Sequence, residues 1–95
     1  MTCYAIRYVY GAWEVHKGVR GTLQTALSWA ESQGCDMLVL VDVNRVRGYV
    51  HGSESRRWRE QLWLGMMPYD LCVLGANGRL DAAATLNNLE NISEK

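Results

Sequence analysis

The sequence predicts one small α+β domain: a mostly antiparallel sheet in ββ-α-ββ-α-β order, two helices packed on it and a further C-terminal helix. Three observations carry that expectation. The chain opens with alternating β-formers broken by a glycine, "TCYAIRYVYGAWEV". A capped stretch of helical periodicity follows, "GTLQTALSWAESQG". Twice, a short apolar run then leads into a turn rich in Asp, Asn or Gly, at "DMLVLVDVN" and "DLCVLGANG". A length of 95 residues leaves room for a single core, so residues 1–95 form one domain whose last few positions fray.

In the opening segment, Tyr4, Ile6, Tyr8 and Tyr10 share one face at a period of two. Cys3, Ala5 and Val9 line the other, with Arg7 as its one charged interruption. A strand apolar on both sides belongs in the middle of its sheet. Gly11 punctuates, and Trp13 and Val15 continue on a return strand. The first helix takes Thr22 as its cap, buries Leu23, Ala26, Leu27 and Ala30 and ends at Gly34. Trp29 lies off that stripe, as a rim residue over the sheet edge or as an exposed anchor.

The next hairpin runs from the apolar strand after Asp36, through a turn at residues 42–45, into a strand holding Val46, Tyr49 and Val50. "HGSESRRWREQLWLGMMPYD" (residues 51–70) then reads as a helix closed near Gly65 and Pro68. "YDLCVLGANGRL" repeats the logic of "CDMLVLVDVNRV" 34 residues later, which suggests either a duplication or two answers to one hairpin problem. The last helix takes Asp81 as cap and sets Ala82, Leu86 and Leu89 on one side.

Ten basic residues balance ten acidic ones, so no overall attraction to nucleic acid or to an acidic membrane is expected. The balance hides a gradient. Between Arg45 and Arg59, five arginines face Glu54 alone, a local charge of +4 flanked by −1 before and −3 after. No apolar run approaches the roughly 18 residues of a membrane helix, and no secretory leader precedes the first strand. Three widely spaced cysteines with no C-x-x-C pair argue against a disulfide framework and a zinc site, and for a reducing cytoplasm.

Catalytic patterns are sparse. His16 and His51 could act as acid and base, with Lys17 or an arginine holding a phosphate, but two surface histidines near strand ends are the commoner arrangement. Asp36, Asp42 and Asp70 occupy strand starts and turns, where Asp serves turn chemistry. "GANG" lacks the Lys or Ser/Thr that a phosphate cradle uses and reads as a turn. Cys3 and Cys72 sit in apolar strand patterns, and Cys35 has no nearby histidine to activate it. No cofactor or metal is expected.

The Arg-rich stretch is the strongest functional signal. Counting about 100° per residue from Trp58, Leu62 and Met66 continue an apolar stripe at about 40° and 80°. Arg59, Trp63 and Arg56 share the flank between about 100° and 160°. Arg59 and Trp63 are i, i+4 neighbours suited to stacking guanidinium on indole. Arg45 and Arg47 on the preceding hairpin adjoin that flank. Arginine grips carboxylate or phosphate in bidentate fashion, and Arg and Trp are enriched at interface hot spots. An outer helix face that is merely solvated accounts for the charges equally well.

The expectation is therefore a non-enzymatic, cytoplasmic binding protein. Another protein or protein complex docks on Arg45, Arg47, Arg56, Arg59 and Trp63, or on an exposed sheet edge. A small nucleic-acid binder, with the arginines on phosphates, is the alternative; zero net charge and only two lysines count against it. An enzyme using His16 and His51 comes third. A homodimer through the C-terminal helix or a sheet edge stays open. In size and style the chain is similar to phage- or plasmid-encoded inhibitors of host enzymes or defence complexes, such as anti-CRISPR proteins, an analogy that rests on no motif.

Overall fold

The computed structural model describes residues 1–35, 37–42, 45–50, 62–63 and 67–93. Its centre is a four-stranded antiparallel sheet of β1 (Thr2–Val9), β2 (Ala12–Val19), β3 (Met37–Asp42) and β4 (Arg45–Val50), in the order β2-β1-β3-β4. Helix α1 (Leu23–Ser32) covers one face and α2 (Ala82–Ser93) the other. A short ribbon, β5 (Leu62–Trp63) paired with β6 (Met67–Pro68), precedes a 3₁₀ turn at Tyr69–Leu71. This is the α+β architecture read from the sequence.

β1 lies between β2 and β3, as its two apolar faces require. Tyr4 and Ile6 point into a cluster with Val15, Met37, Val39, Leu71 and Leu89 beneath α2. Cys3 and Ala5 point the other way, onto Ala26, Ala30, Leu38 and Leu40 beneath α1. The contact sets small residues of both partners together, Cys3 and Ala5 on β1 with Ala26 and Ala30 on α1. The aromatic stripe of β1 does not stay buried along its length. Tyr8 is half-exposed and Tyr10 fully so, because the hairpin turns there. Tyr10 and Gly11 both take positive φ, at 51° and 80°, the hand that a two-residue type I′ turn requires.

Both helix starts follow their sequence signals. Thr22 Oγ1 accepts from Thr25 N, and Thr25 Oγ1 accepts in turn from Thr22 N, a reciprocal box at the head of α1. Gly34, at φ 73°, provides the left-handed residue just past its end. Asp81 Oδ1 accepts from Ala84 N at 3.0 Å to cap α2. Within α2, Thr85 is buried and bonds Val73 N at 3.0 Å, while Asn88 donates to the carbonyl of Leu71 at 3.2 Å. Polar residues that weaken the helix by propensity thus hold the irregular 71–73 segment beneath it.

Two expectations change. The helix over the Arg/Trp stretch does not extend to Trp63: Leu62 and Trp63 are extended and pair with Pro68 and Met67. Trp58 and Met66, the other members of its proposed apolar stripe, lie outside the described residues. A single proline cannot donate to a ladder but is tolerated in a two-residue edge ribbon, so Pro68 ends β6 rather than a helix. The second copy of the 34-residue pattern also builds differently. "CDMLVLVDVNRV" makes a ladder from Met37↔Val50 to Asp42↔Arg45. "YDLCVLGANGRL" makes a 3₁₀ turn and one isolated bridge, Leu74↔Leu80, around a tight turn with Gly78 at φ 75°.

Candidate functional site

The expected docking residues separate into three groups. Arg47 is solvent-exposed on β4, an outer strand of the sheet. Arg45 begins the same strand two positions earlier, so strand alternation puts both at registers of one face. Trp63 belongs to β5, which pairs with β6, and β6 packs against β4. Position 63 is thus linked, through β6, to the strand that carries positions 45 and 47, by a route through strands and not along a helix face. Arg56 and Arg59 lie outside the described residues, and so does His51.

The opposite edge holds two charged clusters that sequence reading did not assemble. Across the hairpin, Arg7 faces Glu14 and Ala5 faces His16. Arg7 Nε and Nη2 donate to the two Glu14 oxygens, each at 3.0 Å, the bidentate geometry that arginine favours. His16 Nε2 and Glu14 Oε1 share a hydrogen bond at 2.6 Å. The Arg7 guanidinium beside Glu14, helped by His16, holds the carboxyl below its usual range. The signal lay in the turn: once Tyr10 and Gly11 form a two-residue loop, Arg7 must stand opposite Glu14.

On the α2 side, Glu90 Oε1 meets Lys17 Nζ at 2.6 Å and accepts from the Tyr4 hydroxyl at 2.5 Å. Lys17 foremost, then Tyr4, keeps the Glu90 carboxyl low. Burial, then the Glu90 carboxylate, push the Tyr4 phenol well above its ordinary value. The cluster pins α2 to the edge strand β2.

Trp29 takes the rim role. Its ring covers Gly18 of β2 so closely that an added Cβ would sit 2.9 Å from Cζ2, and the Arg20 guanidinium lies 4.9 Å over its centroid. Cys3 is buried, and desolvation raises its thiol. Desolvation pushes Cys72 up to about 11, which keeps it protonated at neutral pH and a poor nucleophile. None of the three cysteines forms a disulfide. Among the described residues no group of three or more His, Cys, Asp and Glu side chains could hold a metal ion, and no helix is long and apolar enough to cross a membrane.

Compared with models of known protein families, with curated proteins and with solved structures, the chain matches none.

Proposed function

We propose that this chain is a non-enzymatic, cytoplasmic regulator or inhibitor that docks on another protein through the β4 end of its sheet. Arg45 and Arg47 stand on the edge strand, Trp63 on the adjoining ribbon, and Arg56 and Arg59 belong to the segment between them. The observation that carries the reading is the packing of β6 against β4, with Arg47 exposed. It supports the reading by linking the ribbon that carries position 63 to the strand that carries positions 45 and 47. Arginine offers bidentate donors to carboxylates, and tryptophan is an aromatic anchor for a pocket. The acid–base reading needs His51 as well as His16, and His16 already has a structural partner in Glu14.

Affinity capture from host lysate, with and without nuclease, tests the reading. The expected result is a stoichiometric protein partner that survives nuclease and is lost from a folded Arg56→Glu, Arg59→Glu variant. Retained capture by that variant would overturn the site. A retained nucleic-acid signal, with proteins lost on nuclease treatment, would give the arginines to phosphates instead. The partner's identity would also decide whether the analogy with phage- or plasmid-borne inhibitors holds.

A further inference from the structure

The other outer strand, β2, has an outward backbone edge that no strand pairs among the described residues, and we propose that a second copy of this chain docks there, β2 against β2 antiparallel, with its two-fold axis at Val15. The inference is independent of the docking surface at β4.

In the two-residue hairpin, Ala12 and Val9 form the closing hydrogen-bonded pair. Alternation then turns the backbone groups of Glu14, His16 and Gly18 toward β1, and those of Val15, Lys17 and Val19 outward. Among the described residues no strand pairs with that outward side. The open stretch has two closed ends. At one, the chain turns at Tyr10 and Gly11; at the other, the Val19 carbonyl accepts from Arg20 Nη1 at 2.7 Å. Val15 is its midpoint.

Two hollows of about 470 and 520 Å³ adjoin along the edge and share Val15, His16 and Ser93. Each is lined by residues from both sheet faces, Val15 from one and His16 from the other, so they wrap the edge and do not sit on a face. Trp29 of α1 and Glu90 of α2 border the larger one.

The sequence of the edge selects the occupant. A two-fold axis at Val15 places Val15 opposite Val15 of the second copy, Glu14 opposite His16, and Lys17 opposite Trp13. The outer pairs are a carboxylate with an imidazole and an ammonium with an indole, both favourable cross-strand partners. Neighbouring registers are worse. An axis at Glu14 opposes two carboxylates, and one at Lys17 opposes two ammonium groups, each a destabilising cross-strand pair. An axis at His16 leaves Glu14 facing Gly18. One register thus combines an outward backbone centre with complementary side chains, and it would join two sheets into one of eight strands.

The test uses charge exchange across the interface. The full chain should show a concentration-dependent mass approaching twice 10.8 kDa by sedimentation. Glu14→Lys and His16→Glu should each shift that association at least tenfold toward monomer. An equimolar mixture of the two variants should recover a dimer. In it the ammonium introduced at position 14 of one chain faces the carboxylate introduced at position 16 of the other, while the remaining His16 keeps the remaining Glu14. Recovery on mixing cannot arise from effects within one chain. A wild-type chain monomeric at every concentration overturns the proposal, as does a dimer indifferent to both substitutions. Should either variant fail to fold, amide exchange of the wild type decides. Protection of Val15 and Lys17 that grows with concentration supports the edge pairing, and concentration-independent exchange there refutes it.

Discussion

β2 and β4 bound the same four-stranded sheet, yet the chain finishes them differently. β2 is eight residues long, its side chains tied down by the Arg7–Glu14–His16 and Tyr4–Glu90–Lys17 clusters and by Trp29, while its outward backbone pairs with no strand among the described residues. β4 is shorter, carries Arg45 and Arg47, and has the β5–β6 ribbon packed against it. Fixed side chains around an open backbone suit pairing by main-chain hydrogen bonds, in which register carries the specificity. Arginines beside an aromatic position suit recognition of a partner's side chains. The difference teaches that two edges of one small sheet can be finished in different ways, and on the proposals above each takes separate work.

The comparison breaks most completely if its common support is removed. Ile6 is fully buried in β1, the strand next to β2 and one removed from β4. Ile6→Ala should cost about 2–5 kcal/mol in denaturant melting and weaken both edges together. A loss confined to one edge would mean that the sheet does not melt as one cooperative unit.

Gly18→Ala sharpens the β2 side. The added methyl would meet the Trp29 ring at 2.9 Å, so a destabilisation of about 1–3 kcal/mol is expected from overpacking. A neutral result would show that Trp29 swings aside easily and that this rim is soft.

How much of this was legible beforehand differs between the two ends. The β1–β2 hairpin, both caps and the burial of Ala26 and Ala30 followed from alternation, helical periodicity and turn chemistry, all local signals. Placing Arg7 opposite Glu14 needed only the loop length, but no local rule brings Glu90 to Lys17, because that contact depends on how α2 lies across the sheet. The Arg/Trp stretch misled for a related reason. An apolar residue every fourth position fits a helix, yet Leu62 and Trp63 are extended, with pairing to Met67 and Pro68 deciding against local periodicity. What links position 63 to the strand carrying positions 45 and 47 is therefore strand packing, which the spacing of residues along the chain does not encode.

Acid provides a smaller, graded test. Glu14 and Glu90 both titrate below the ordinary carboxylate value in the folded chain. A depressed folded pKa stabilises above the unfolded value of about 4.3, and that contribution fades as pH falls through the folded pKa. Melting temperature should therefore decline as pH drops below about 4.3, and a Glu14→Gln, Glu90→Gln variant should show a shallower decline. An identical slope would mean that neither cluster stabilises β2. Lys17→Ala, which breaks one half-exposed ion pair, should have the least effect, about 1 kcal/mol or less; a larger loss would mean that Lys17 anchors α2 by more than charge.

The most direct measurement compares capture of a lysate partner by two folded variants, Arg45→Glu with Arg47→Glu at one edge and His16→Glu at the other. Capture lost by the arginine variant and kept by the histidine variant is the expected result. Capture kept by the arginine variant would contradict the assignment of partner docking to the β4 end.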